Sequence, residues 1–278
     1  MIAAGWKRYA LLVPLACALA ACGGGGGPSV GVGIGGTGKP GATFGDVGTG
    51  PRGLSVGGTT FTTAGATVRI GGRAATTAEI RAGHVALIEG VIDGDRGVAE
   101  TITIEDVIKG TLEARPGASV LTVQGQLVEI DERTTYGAGI EPASADGLRL
   151  GDLLEVWGFV RGPGRVRATR IEREDSLDEL RLVGIATDVD AEGDTFRIGT
   201  QDIDHRNADV SKLPSGDPVN DELVRVRGQA AESGSVLEAV LVDPLGLDDA
   251  MDNDETEIEG FVTFVEPGVG FRVGGVQV

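Results

Sequence analysis

An eight-residue pattern, which occurs four times in this chain, constrains its fold more than any other feature. The four copies are LSVGGTTF at 54–61, LTVQGQLV at 121–128, FRIGTQDI at 196–203 and FRVGGVQV at 271–278. Apolar residues alternate with other residues on both sides of a centre that carries glycine, so each copy predicts a β-hairpin with a tight turn. The starts lie 67, 75 and 75 positions apart, which indicates an internal repeat.

Two further series of glycines recur at a similar spacing. One series ends a strand-like segment and consists of Gly90, Gly158 and Gly228. The other begins each unit and consists of Gly38, Gly110, Gly184 and Gly260. Together with the hairpins, these markers predict five short strands and a polar stretch with a turn of helix in each unit. Because so small a sheet buries a core only by curling on itself, we expect an all-β chain of tandem five-stranded barrels of the OB-like type, which bind oligosaccharides or oligonucleotides. Small β-sandwiches are the alternative.

The same residues resemble a bacterial family. GIGGTG at 33–38, the FxVGGxxV hairpin, GDLLEVWG at 151–158 and RATRIE at 167–172 are similar to the tandem lipoprotein repeats called domain of unknown function DUF5666. The resemblance covers most of residues 33–278 and implies a bacterial lipoprotein of small β-barrels. It implies no activity and no catalytic residues, because these motifs define turns and strands.

Repeat spacing and composition also predict how the chain is divided. The expected segments are a signal peptide at 1–21, a lipidated glycine-rich tether at 22–45, barrel repeats at 46–106, 107–176 and 177–247, an acidic linker at 248–257 and an incomplete fourth repeat at 258–278. The fourth copy has no second hairpin, which would leave an unpaired sheet edge. Two interpretations follow: the chain is a fragment of a longer array, which we favour, or its last strands pair with a neighbouring barrel.

The N-terminal residues carry the features of an export signal. Lys7 and Arg8 precede an apolar run at 9–21 that is too short to cross a bilayer as a helix but long enough for a signal peptide. The run ends in LAAC, which resembles the lipobox of bacterial lipoproteins and implies that Cys22 becomes the acylated anchor. Because Gly23 rather than aspartate follows the cysteine, the resemblance implies the outer membrane, at its periplasmic or its exposed face.

The glycine-rich segment 23–53 is typical of a flexible tether. GVGIGG at 31–36 satisfies the dinucleotide pattern GxGxxG, and residues 33–39 match most of a Walker A loop. A phosphate site needs a strand before the loop and a helix after it, and Pro40 stands where the Walker motif requires Ser or Thr. We therefore expect no nucleotide and no other cofactor.

Charge excludes one class of partner. The chain has 42 acidic and 24 basic residues, for a net charge of −18, and nucleic-acid binding depends on an excess of Lys and Arg. Residues 248–259 contain seven of the acids, which predicts a solvated linker or, as an alternative, a segment that binds divalent cations.

Candidates for catalysis are few, so we expect no catalytic residue and no metal site. His84 and His205 fall in different repeats, and His84 is expected at an exposed strand edge. No GxSxG or HExxH motif occurs. Residues 188–193 resemble the start of a calcium loop, but Gly199 stands where the loop requires glutamate, so a hairpin turn is the preferred interpretation.

Trp157 and Phe159 are the candidate ligand-binding residues. The alternation of the strand places them on the face opposite Val156, so both rings are expected to point outward and be exposed. Packing against the next barrel is the alternative. The resulting hypothesis is a non-enzymatic lipoprotein of the cell envelope that binds an envelope glycan or protein, or serves as a structural module. The alternatives are a glycan hydrolase with paired carboxylates and a surface protein that responds to divalent cations.

Overall fold

The computed structural model describes residues 38–51, 53–231, 234–245, 247, 255–266, 270–273 and 276–277. Within these ranges the only helical segments are two 3-10 turns, Thr77–Glu79 and Ala145–Gly147. All other regular elements of the described residues are β-strands. The prediction of an all-β chain is confirmed.

The first eight strands belong to one sheet. They are β1 (Lys39–Asp46), β2 (Gly48–Gly50), β3 (Gly53–Val56), β4 (Thr59–Thr62), β5 (Thr67–Ile70), β6 (Arg73–Ala75), β7 (Val85–Asp93) and β8 (Arg96–Ile104). Only Val47 separates β1 from β2, so the two act as one bent strand that pairs with β7 and then with β3. The pairings β3–β4, β4–β8 and β8–β7 complete a closed ring. We refer to residues 39–104 as ring 1.

A second ring follows in the chain. Its strands are β9 (Ile108–Gly117), β10 (Val120–Val123), β11 (Gln126–Glu129), β12 (Thr135–Tyr136), β13 (Leu153–Gly162) and β14 (Arg165–Glu174). β9 pairs with both β10 and β13, and the pairings β10–β11, β11–β14 and β14–β13 close the circuit. We refer to residues 108–174 as ring 2.

The third ring repeats this order. Its strands are β15 (Leu180–Asp190), β16 (Thr195–Ile198), β17 (Gln201–Asp204), β18 (Leu223–Ala230) and β19 (Val236–Pro244). The circuit runs β15–β16–β17–β19–β18 and returns to β15. In each ring the pairing that follows the tight hairpin is parallel, namely β4–β8, β11–β14 and β17–β19. We refer to residues 180–244 as ring 3.

The eight-residue pattern forms a hairpin in all four copies, as predicted. The first three are β3–β4, β10–β11 and β16–β17. The fourth is formed by β22 (Gly270–Val273) and β23 (Val276–Gln277), which join β21 (Val262–Glu266) in a three-stranded sheet. Local alternation and turn residues therefore determine these elements.

The glycines that end the strand-like segments lie at β-bulges. The register shifts next to Gly90, Gly158 and Gly228, where two residues of one strand face one residue of its partner. A Cβ atom added at these three glycines would lie 2.0, 2.1 and 2.1 Å from a carbonyl oxygen of the partner strand. Glycine is required here because the two backbones approach so closely.

The prediction that Gly38 is the first member of the glycine series that begins each unit is wrong. A Cβ atom added at Gly110 would lie 2.5 Å from Cβ of Gln124, and one added at Gly184 would lie 2.2 Å from Cγ2 of Ile198. Both contacts are with residues of a tight hairpin. In ring 1 the matching contact belongs to Gly45, whose added Cβ would lie 3.1 Å from Val56. Gly38 precedes β1 and does not contact the hairpin. β1 begins further toward the N-terminus than the composition suggested, so the equivalent glycine lies near the end of this strand.

β1 occupies residues that the glycine content assigned to the flexible tether. It pairs along its length with β7 and, on its other edge, runs parallel to β20 (Glu255–Ile258). Ala42 and Thr43 are buried between these neighbours. The tertiary pairing thus outweighs the conformational freedom of glycine. β20 likewise lies at the end of the predicted acidic linker, whose residues 248–254 are outside the described residues.

The buried side chains form two apolar clusters. One cluster is the shared core of rings 2 and 3. These rings are joined by the β9–β15 pairing, in which Ile108 faces Leu182, and by a 2.9 Å hydrogen bond from Gln124 Nε2 to Gln201 Oε1. The other cluster is the core of ring 1, which also contains Trp157 and Phe159 of ring 2.

Candidate functional site

The connection between rings 1 and 2, residues 105–107, lies where all three rings meet. A cavity of about 220 Å³ occupies this place, and we call it the junction cavity. It is lined by Phe44, Val85, Leu87, Thr103, Glu105, Asp106, Val107, Gly158, Phe159, Val160, Val183, Leu223, Arg225, Leu245, Leu247 and Gly260. The topology therefore creates one concave site from segments that are distant in sequence.

Most of the cavity wall is apolar. The rings of Phe44 and Phe159 meet edge to face, with centroids 6.1 Å apart. Gly260 is exposed, so the cavity reaches solvent on that side. An apolar cavity of about 150 Å³ is large enough to bind benzene. The junction cavity thus has room for a small aromatic or aliphatic molecule.

Charged side chains form one part of the wall. Glu105 Oε2 accepts a 3.2 Å hydrogen bond from Arg181 Nη1 and lies 3.6 Å from Arg227 Nη2. Glu105 Oε1 lies 3.9 Å from Arg225 Nη1. Arg225 also donates from Nε and Nη2 to the two carboxylate oxygens of Asp243, at 2.9 and 2.7 Å. We refer to these residues, with Asp106 and Glu179, as the junction cluster.

Asp106 is a deeply buried acid of the junction cluster, with 2% of its surface exposed. Its Oδ1 accepts a hydrogen bond from Arg181, and its Oδ2 has no partner among the described residues. Burial raises the pKa of Asp106 to about 6, although Arg181 lowers it; Glu155 and Glu105 raise it further. Burial lowers the pKa of Arg181, but Asp106 and Glu179 outweigh burial and hold that pKa above its usual value.

The structure places the two predicted ligand-binding residues differently. Both residues pack into the core of ring 1, but Phe159 also lines the junction cavity whereas Trp157 does not. The expected exposure of Phe159 is wrong, because only 5% of it is accessible. The prediction that Trp157 points away from its own ring agrees with this position, but the expected exposure is wrong, because only 2% of it is accessible. The indole lies against His84, with ring centroids 4.6 Å apart. Ring 2 thereby contributes an aromatic residue to the core of its neighbour.

Both histidines are buried, and the expected exposure of His84 is wrong. Burial, with the positive charges of Arg170 and Arg81, lowers the pKa of His84 to about 4. Its Nδ1 accepts a hydrogen bond from the Arg81 backbone N–H at 3.2 Å, which fits a neutral imidazole. His205 lies in ring 3 against Phe196, with ring centroids 5.5 Å apart. Neither histidine lines the junction cavity.

The segment that resembles a calcium loop forms the turn between β15 and β16, as predicted. Asp190 Oδ1 accepts hydrogen bonds from the backbone N–H groups of Glu192 and Gly193, both at 3.1 Å. This carboxylate therefore stabilises the turn itself. The described residues contain no group of three or more His, Cys, Asp or Glu side chains placed to hold a metal ion.

Several sequence predictions fall outside the described residues. These are the signal peptide, the lipidation site Cys22 and the GxGxxG pattern at 31–36. In the part of the chain that the structure covers, no helix is long and apolar enough to cross a membrane.

Sequence reasoning missed the junction cluster. Glu105 and Asp106 stand in a connection between repeats, and their partner Arg181 lies 75 positions beyond Asp106. The one local signal was the alternation of Arg225 and Arg227 with the buried Val224 and Val226, which placed both arginines on the face away from the core of ring 3.

Comparison with known proteins identifies one segment of the chain. Residues 109–172, which correspond closely to ring 2, match the family model described as "Domain of unknown function (DUF5666)". Comparisons with curated proteins and with solved structures found no match. The match supports a domain of unknown function over ring 2.

Proposed function

We propose that this chain is a non-enzymatic binding module of the bacterial cell envelope that holds a small, largely apolar ligand in the junction cavity. The observation that carries this proposal is the cavity itself, about 220 Å³ in volume and lined by apolar side chains from all three rings. A concave, mostly apolar site with a few polar groups is the usual form of a small-molecule site. Phe159 is the predicted ligand-binding residue that this proposal retains.

We further propose that the three rings are tandem OB-like barrels of one family. The family match covers ring 2, and rings 1 and 3 have the same circuit of pairings, with a parallel pair after the tight hairpin. The bulge glycines Gly90, Gly158 and Gly228 occupy the same place in each ring.

The envelope part of the proposal depends on the N-terminal sequence. Lys7 and Arg8, the apolar run at 9–21 and the LAAC motif predict acylation at Cys22 and attachment to the outer membrane. The proposed partners are therefore the membrane, through this anchor, and the ligand of the junction cavity; an envelope glycan or protein remains an alternative partner.

The contacts of the acids in the cavity support binding rather than hydrolysis. Glu105 and Asp106 both accept hydrogen bonds from Arg181. A hydrolase with two catalytic carboxylates needs them on opposite sides of a scissile bond. These two acids are adjacent in sequence and share one cationic partner.

A cavity-filling variant tests the proposal. Leu87 lines the cavity but belongs to neither buried apolar cluster, so Leu87→Trp should fill the space without disturbing either core. Val240→Trp is the matched control, because Val240 is an exposed strand residue of ring 3. The full chain is reconstituted in lipid nanodiscs, and toluene binding is measured by saturation-transfer NMR and by thermal unfolding, with empty nanodiscs subtracted.

We expect toluene to bind the unmodified chain and Val240→Trp equally and to bind Leu87→Trp weakly or not at all. At a toluene concentration 100 times its Kd, binding should stabilise the chain by about 2.7 kcal/mol. Absence of toluene binding to the unmodified chain, or unchanged binding to Leu87→Trp, would show that the cavity is not a ligand site.

A further inference from the structure

We propose that the ligand of the junction cavity is an uncharged alcohol or phenol whose hydroxyl group bridges Glu105 and Arg225. This inference rests on the proposed function and assigns a chemical class to its ligand. It follows from the free hydrogen-bonding groups at the cavity wall, from the charge balance of the junction cluster and from the apolar remainder of the wall.

Besides the buried Asp106 Oδ2, the free groups at the wall include a donor and an acceptor that lie 3.9 Å apart. Arg225 uses Nε and Nη2 for Asp243, and Glu105 uses Oε2 for Arg181. Within the described residues, Arg225 Nη1 and Glu105 Oε1 form no hydrogen bond, and the 3.9 Å between them is too long for one. A hydroxyl oxygen placed between them can accept from Nη1 and donate to Oε1, because a hydroxyl group is both donor and acceptor.

The charge of the junction cluster disfavours a charged ligand. The cluster contains four acids, Glu105, Asp106, Glu179 and Asp243, and three arginines, Arg181, Arg225 and Arg227. With all groups ionised, the cluster carries one excess negative charge, so an anionic ligand would add like charge in a partly buried site. A cationic ligand would meet the three arginines that surround the Glu105 carboxylate. A neutral hydroxyl group avoids both costs.

The rest of the wall specifies the body of the ligand. Phe44 and Phe159 present aromatic surface, and Leu87 and Val160 present aliphatic surface. Aromatic rings prefer edge-to-face or offset contacts with one another, so a phenol ring is a suitable body for this wall. The volume limits the ligand to about the size of one substituted ring.

A matched series of small molecules tests the assignment. Toluene, p-cresol, 4-methylbenzoate and protonated 4-methylbenzylamine are titrated onto the full chain in nanodiscs at pH 7, with empty nanodiscs subtracted. We expect p-cresol to bind roughly tenfold more tightly than toluene or better, since hydrogen bonds to charged groups are the stronger ones, and the two ions to bind more weakly than toluene.

A conservative variant locates the hydroxyl contact. Glu105→Gln removes the charge of the acceptor with little change of shape, so the preference for p-cresol over toluene should fall several-fold while toluene binding persists. Glu179→Gln is the control, because Glu179 also pairs with Arg181, at 2.5 Å, but does not line the cavity. This control should keep the preference of the unmodified chain.

If circular dichroism shows that Glu105→Gln does not fold, the NMR signals of the Arg225 guanidinium group are measured in the unmodified chain instead. They should shift with p-cresol and not with toluene. Three results would overturn the inference and leave the proposed function standing. They are toluene binding as tight as p-cresol binding, tightest binding by either ion, and Arg225 signals that p-cresol does not change. Failure of all four molecules to bind would overturn the proposed function itself.

Discussion

The imidazole of His84, which directly precedes strand β7 of ring 1, lies 4.6 Å from the indole of Trp157 in ring 2, measured between ring centroids. Both side chains are almost fully buried. The contact is part of the packing of ring 2 onto ring 1, because Trp157 and Phe159 both belong to the apolar cluster of ring 1. Loss of this contact should therefore destabilise both rings.

Trp157→Ala should destabilise the chain by about 3–5 kcal/mol, the usual cost of truncating a buried aromatic residue. Denaturant unfolding measures this change, and amide hydrogen exchange should accelerate in ring 1 as well as in ring 2. Leu150→Ala, at a side chain that is 64% exposed, is the control and should change the free energy of unfolding by less than about 0.5 kcal/mol. Exchange that accelerates in ring 2 alone would contradict the role of Trp157 in the ring 1 core.

His84 should make the chain less stable in mild acid. Its folded-state pKa of about 4 lies below the ordinary value of 6.5, so the neutral form is favoured in the folded state. The stabilisation that this provides is present above pH 6.5 and is lost as the pH falls toward 4, by on the order of 2–3 kcal/mol. The free energy of unfolding is measured between pH 4 and 7 for the unmodified chain and for His84→Gln. Parallel profiles for the two proteins would refute the prediction.

Asp106 should make the stability of the chain depend on pH in the opposite direction to His84, over a similar range of pH. Its folded-state pKa of about 6 lies above the ordinary value of 3.8, so the folded chain binds the proton more tightly than the unfolded chain does. This contribution is therefore present below about pH 4 and is lost as the pH rises to about 6, by on the order of 1–3 kcal/mol. Asp106→Asn keeps the shape of the side chain and should remove this pH dependence. A difference in stability between the two proteins that stays constant from pH 4 to 7 would disprove the effect.

Gly158→Ala should cost about 1–3 kcal/mol or more, because the new Cβ would lie 2.1 Å from the Arg167 carbonyl oxygen. Gly162, at the end of the same strand, is the matched control, since an added Cβ there meets no atom within 4 Å. Gly162→Ala should leave the midpoint of thermal unfolding unchanged or slightly raised. Equal effects of the two substitutions would show that the bulge does not require glycine.

Local elements of this fold were predictable from sequence, because the residues that determine them are close together in the chain. The four hairpins and the recurrence of Gly158 and its counterparts follow from alternation and turn chemistry. The outward direction of Trp157 follows from the same alternation, but its burial does not, since the covering residues belong to another ring.

The elements that sequence reasoning missed depend on distant partners. β1 was hidden by its glycine content and forms because β7 and β20 pair with its two edges. The junction cluster joins Glu105 and Asp106 to arginines of ring 3, and no local pattern connects these positions. The junction cavity exists only where the three rings meet, so its residues could not be recognised as one site.

The parallel pairing of β1 with β20 has a consequence for synthesis. The backbone N–H of Asp46, at the end of β1, donates a hydrogen bond to the carboxylate of Glu259, which lies 213 positions further along the chain. A ribosome therefore completes β1 long before the strand that will cover its outer edge exists. Until β20 is in place, the polypeptide exposes free backbone groups that can capture a neighbouring chain, so a chaperone that covers this edge would protect it.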